Sequence, residues 1–203
     1  MQIESALITI QNFWDNKTPF PFKKSDNSLH LERIQAEFNH PLPQMVQEYV
    51  GQYAPAERFS FDTVGNPIDF YAINRLKFQQ DGYNYNPVKK ETIESWNSDY
   101  FIFADEGADP VIVDLQHPEN SIQLLIHGSG SWDYGDSIAD SFGQLLLCCA
   151  ARHHALNNFE EDPIVDDENG FNLADKAAEW YFKNMKKWAG EYYENWCSVF
   201  DNH

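Results

Sequence analysis

Three carboxylates in one short segment are the first residues of this chain that could do chemistry. In DYFIFADEGADPVIVDL (residues 99–115), Asp105, Glu106 and Asp109 surround Gly107, and no lysine or arginine interrupts the run. Carboxylates so close together could bind a hard cation or share protons as an acid–base pair. A calcium loop alternates its oxygen ligands, places Gly at the sixth position and ends on Glu at the twelfth. This segment does not follow that pattern. An acid–base pair needs a pocket that drives the two pKa values apart, whereas a hairpin tip is solvated. The segment is therefore expected to be a structural turn or a turn that faces a partner.

HGSGSWDYGDS (residues 127–137) is the second chemical candidate. It lacks the Gly-Lys-Ser/Thr ending of a phosphate loop, and its Gly128-Ser129-Gly130-Ser131 run is out of register with a Gly-x-Ser-x-Gly nucleophile elbow. What it does carry is Trp132 and Tyr134 among small residues, flanked by Asp133 and Asp136. Aromatics on such a loop either plug a core or recognise a partner, and Trp132 is expected to plug. An enzymatic reading would have to use Asp105, Glu106 and Asp109, or His127 with Asp133. His153 and His154 are helix neighbours about 100° apart, so they do not share a metal. Neither a His-Glu-x-x-His nor a Cys-x-x-Cys spacing is present. Cys148 and Cys149 lie in an apolar run with no nearby base, and Cys197 is distant from both. No catalytic residue, metal ligand or cofactor is assigned.

The elements that must position these residues follow from periodicity. Residues 3–15 suit a helix with Ile3, Leu7 and Ile10 on one face, and residues 29–40 a second with Leu31, Ile34 and Phe38, stopping before Pro41. A third starts near Pro43 and groups Val46, Tyr49, Val50 and Tyr53. The middle of the chain reads as strands joined by hairpin-length connections, which favours antiparallel pairing. Residues 89–98 can hold a short helical turn. The strands YFIFA and VIVDL are apolar at nearly every position, so both of their faces should be covered. Ser137 and Asp140 have capping-box spacing ahead of a helix whose stripe is Ile138, Phe142, Leu145, Leu146 and Cys149. NFEEDPIVDDENG (residues 158–170) reads as an acidic linker. A C-terminal helix follows, carrying Leu173, Trp180, Trp188, Tyr192 and Trp196, with Gly190 as a possible break. Its aromatics are expected to pack within the chain. The fold class is α+β: a mostly antiparallel sheet of about five or six strands with N-terminal and C-terminal helices packed on it. Residues 1–158 form the main domain, with 159–203 as a linker and helical extension packed on it.

Composition limits the partners. With 42% hydrophobic and 15% aromatic residues the chain can fill a core. A net charge of −18 opposes binding to a nucleic-acid backbone or an anionic membrane surface. It suits either plain solubility or steering of a basic partner. The stretch 91–151 contains no Lys or Arg at all. No apolar run is long enough to span a bilayer, the N-terminus does not resemble a signal peptide, and the three cysteines make no disulfide framework. A cytoplasmic location is expected.

Three segments in order resemble the SUKH superfamily. PLPQMVQEYV looks like the Leu-Pro…Tyr element that opens such domains. ESWNSDYFIFADEGADPVIVDL resembles their central signature, a Phe-x-Phe-Ala strand, an acidic Gly turn and a Val/Ile-x-Asp-Leu strand. HGSGSWDYGDSIADSFGQLL is similar to their closing strand, loop and helix. The resemblance covers roughly residues 3–157. It implies a binding fold without shared catalytic residues, one whose members are largely bacterial immunity proteins of polymorphic toxin systems, alongside a fungal regulator of cell-wall synthesis. Phe101, Phe103, Asp105, Gly107 and Asp114 match the signature as fold positions. Two departures stand out: Ala108 occupies a position where many members carry Gly, and the loop LKFQQDGYNYNPVKKETIE is long. The resemblance thus implies a cognate toxin as partner, one with a basic surface. Asp105, Glu106, Asp109, Trp132, Asp133, Tyr134 and Asp136 are the expected contact residues. An intracellular regulator or scaffold of the same fold is the alternative.

Overall fold

Apolar periodicity places the first three helices where it should. In the computed structural model, which describes residues 1–15, 19–93, 96–117, 119, 121–128, 131–168 and 170–203, α1 (Ile3–Gln11) buries Ile3, Ala6 and Ile10. Ala6 takes the inner position expected for Leu7, which is half-buried. Helix α2 (Ser28–Glu37) buries Ile34 and ends where Phe38 turns extended, three residues before Pro41. Helix α3 (Gln44–Glu48) follows Pro43 and widens into a π-helical turn at Tyr49–Tyr53, closed by Ala54 N–H donating to the Tyr49 carbonyl at 2.7 Å. The wider turn still presents Val46, Tyr49, Val50 and Tyr53 inward, all buried.

The strands are β1 (Phe59–Phe61), β2 (Ile68–Phe70), β3 (Tyr85–Asn86), β4 (Glu91–Thr92), β5 (Tyr100–Glu106), β6 (Asp109–Asp114), β7 (Ile122–Leu125) and β8 (Gly135–Ala139). Six of them form one sheet in the order β1-β2-β5-β6-β7-β8, while β3 and β4 pair by themselves. The β5–β6 and β6–β7 pairs are antiparallel. The helical turn expected near residues 89–98 is not found: β4 occupies part of that stretch, and residues 94–95 lie outside the described residues.

Contacts divide the chain into two compact units. Unit 1 comprises Met1–Phe20, Ser60–Ile68 and Ser137–His203, and unit 2 comprises Pro21–Phe59 and Asp69–Asp136. In unit 2, β5 is covered on both faces, as its unbroken apolar run predicts. On one side Phe38 meets Phe101 and Tyr49 meets Phe103, with ring centroids 5.9 and 5.7 Å apart. On the other, Trp96, Ile102, Ile112 and Leu125 form a buried cluster, backed by Tyr71, Tyr83, Tyr100 and Trp132. The register shifts between Ile102 and Ala104, so Phe103 is the extra residue of a bulge.

Unit 1 is organised around α4 (Phe142–Asn157). This helix starts later than expected. Ser137 and Ile138 belong to β8, and the N-cap is Ser141, whose hydroxyl accepts from Gln144 N–H. Gln144 Oε1 in turn accepts from Asp140 N–H at 2.8 Å, a reciprocal bond one residue removed from a capping box. Nor is burial confined to a stripe. Every residue from Leu145 to Arg152 is buried, because Ala and Cys supply the small faces.

The expected acidic linker contains strand β9 (Ile164–Asp167), which pairs antiparallel with β10 (Gly170–Leu173). Leu173 therefore ends a strand rather than starting a helix. Helix α5 (Asp175–Trp188) stops just before Gly190, which has φ +60°, and α6 (Tyr193–Cys197) resumes beyond it. Trp188, Tyr192 and Trp196 are buried. Trp196 Nε1 donates to the Ile138 carbonyl at 2.8 Å, and its ring lies 4.7 Å from the Arg152 guanidinium. Burial pushes the Cys148 thiol up and the Cys197 thiol up to about 12, so both stay protonated near neutral pH. Among the described residues no helix is long and apolar enough to cross a membrane.

Candidate partner-binding surface

The acidic turn between β5 and β6 consists of only Gly107 and Ala108, with φ of +59° and +85°. Positive φ at both central residues is the geometry that fits a tight hairpin to the twist of its strands. Glu106 and Asp109 face each other across it as the last pair of the ladder. Backbone pairing is therefore sufficient to specify the turn.

Its acids have different surroundings. Asp109 Oδ1 accepts from His127 N–H at 2.6 Å and lies 2.6 Å from His127 Nδ1. The second contact requires the proton on Nδ1. Thus His127 meets Asp109, not the Asp133 that sequence proximity suggested. Asp105 is not at a wet tip. It accepts a hydrogen bond from Tyr71 and helps line a cavity of about 390 Å³ together with Arg58, Arg75 and Asp81. Burial, reinforced by neighbouring Tyr83 and Asp105, holds the Tyr71 phenol protonated. Burial and the Asp105 charge push Tyr83 up to about 12.

Tyr83 joins the two sequence candidates. It feels the charges of Asp105 and Asp109 on one side. On the other it packs edge-on against Trp132, with centroids 5.6 Å apart. Trp132 also meets Trp96 at 5.2 Å. Trp132 is thus the half-buried plug the sequence suggested, while Tyr134 stands 61% exposed with Asp133 and Asp136 exposed beside it. Ile126, itself exposed, donates its N–H to the Tyr134 carbonyl at 3.0 Å, which ties the loop to the end of β7. Residues 129–130, the centre of the Gly-Ser run, lie outside the described residues. The result is a surface of unit 2 with an aromatic base, an outward tyrosine and carboxylates. Sequence reading missed Arg58, Tyr71, Arg75, Gln80, Asp81 and Tyr83. The available signal was two arginines within a chain of 14 basic residues.

Comparison with known families decides the lineage. Residues 27–148 match the SMI1 / KNR4 family (SUKH-1). The chain belongs to this family. The SUKH-1 match takes in α2 through β8 and the first part of α4, and hence every residue of the surface just described. Helix α1 and residues 149–203 fall outside it. Comparisons with curated proteins and with solved structures returned no match.

Proposed function

We propose that this SUKH-1 chain is a non-enzymatic protein-binding domain, an immunity protein that neutralises a cognate toxin by direct contact. One observation carries the reading: the acidic turn between β5 and β6 and the loop with the exposed Tyr134 both lie in the family-matched region, inside a stretch of 61 residues (91–151) without Lys or Arg. Asp133 and Asp136, exposed on either side of Tyr134, suit a basic partner surface, where charge sets encounter rate and selectivity. Tyr134 supplies the kind of aromatic anchor that concentrates binding energy. The partner is then a toxin with a basic face, and the interaction belongs inside the cell.

The test is co-expression with the toxin encoded by a neighbouring gene. Growth should be rescued, and the two proteins should co-elute as a complex. Tyr134→Ala combined with Asp133→Asn and Asp136→Asn should weaken the complex by roughly tenfold or more while the thermal unfolding of the free protein stays close to that of the parent. Normal rescue by this triple variant would place the contact elsewhere. Failure of the parent protein to rescue would refute the pairing.

A further inference from the structure

The cavity beside the acidic turn has its own charge pattern, separate from the exposed loop. Arg58 is committed to Asp69, a carboxylate only 4% exposed, and that pair is neutral. Three charged groups of the lining remain. Arg75 and Asp81 make no ion pair with any described residue, and Asp105 takes its hydrogen bond from Tyr71. Gln80 is 5% exposed and held from two sides. Its N–H donates to Asn84 Oδ1 at 2.7 Å, and its Nε2 donates to the carbonyls of Arg75 and Lys77 at 3.2 and 3.0 Å. The side chain is fixed through its nitrogen, and its Oε1 is left as an acceptor with no partner among the described residues. An acceptor on a preoriented side chain, the Arg75 guanidinium and the carboxylates of Asp81 and Asp105 therefore share one space of about 390 Å³ with the Arg58–Asp69 pair, whose Arg58 charge also acts on Asp105.

A charged ligand that enters such a space must find partners there to offset the water it gives up. A simple anion would satisfy Arg75 and leave two carboxylates facing it. A simple cation would satisfy a carboxylate and face Arg75. We propose that the cavity binds a basic α-amino acid. Its carboxylate sits on the planar fork of Arg75, a geometry suited to bidentate pairing. Its α-ammonium and side-chain cation are shared between Asp81 and Asp105, and Gln80 Oε1 accepts a further N–H. The ligand's single net positive charge then balances the single net negative charge of the uncommitted groups. This site requires no toxin, so its test is independent of the immunity reading.

Calorimetric titration of the purified full chain with L-arginine and L-lysine should give saturable binding of one molecule per chain. Agmatine lacks the carboxylate and N-acetyl-arginine lacks the ammonium, and each should bind about tenfold more weakly or worse. Arg75→Ala should erase the preference for arginine over agmatine. Asp81→Asn should weaken arginine and agmatine alike. Both substituted side chains are exposed, so the variants should retain the parent's circular dichroism. The proposal is overturned if neither amino acid binds, if agmatine or N-acetyl-arginine binds as tightly as arginine, or if Arg75→Ala and Asp81→Asn leave binding unchanged.

Discussion

Ala108 holds φ +85° at the tip of the β5–β6 hairpin, where an L-residue with a Cβ is strained. Ala108→Gly is therefore expected to stabilise the protein by up to about 1 kcal/mol, with glycine's larger unfolded-state entropy offsetting part of the relief. Urea unfolding of the two proteins measures it, and a destabilised variant would contradict the strain. The neighbouring acids should respond unequally. Asp109 accepts from the His127 backbone and faces its Nδ1, so Asp109→Ala should cost about 1–2 kcal/mol. Asp133 is exposed, so Asp133→Ala should stay within about 0.5 kcal/mol of the parent. Equal costs in the same unfolding series would mean the Asp109–His127 contact contributes nothing.

At the scale of elements, α4 carries two adjacent histidines near its C-terminal end, set among rings. His153 stacks on Trp14 at 5.0 Å and accepts from Asp62 N–H through Nδ1, while His154 packs against Trp180 at 4.6 Å. Burial lowers both imidazole pKa values. The neighbouring His153 lowers that of His154 further, and Asp62 and Asp15 oppose these shifts for His153 and His154 respectively. The unfolded chain therefore binds these protons first as pH falls. Their contribution is complete above the ordinary histidine pKa of about 6.5 and is lost as pH drops through the lower folded values. Unfolding free energy should fall between about pH 6.5 and 5, and the double variant His153→Asn, His154→Asn should flatten that part of the profile. Stability that rises on acidification across this window would reverse the assignment. The helix is also anchored at Arg152, whose guanidinium donates to the Trp196 carbonyl at 2.5 Å and lies over the Trp196 ring. Trp196→Phe removes the indole bond to Ile138 and part of that π surface, and should cost about 2–3 kcal/mol in the same assay.

For the whole molecule, a charge of −18 makes association with a basic partner sensitive to ionic strength. Its on-rate should drop about tenfold or more from low to high salt, while the dissociation rate changes little. Stopped-flow association at several salt concentrations tests this, and a flat on-rate would show that steering is absent. The α+β order and the paired apolar strands were legible in the sequence because they depend on local periodicity, and the resemblance to the SUKH superfamily was legible because its motifs are short and contiguous. So were the three N-terminal helices and the break at Gly190. The start of α4 was misplaced because a strand and a helix abut there, and Ser137 and Ser141 both offer a capping hydroxyl. The β9–β10 hairpin was hidden by its acidic residues, which mimic a solvated linker. What only the tertiary structure decided was the company each acid keeps: Asp105 with Tyr71 and the cavity, Asp109 with His127, Asp69 with Arg58. Those pairings join residues from separate strands and loops. Sheet order and register bring them together, and spacing along the chain does not encode either one.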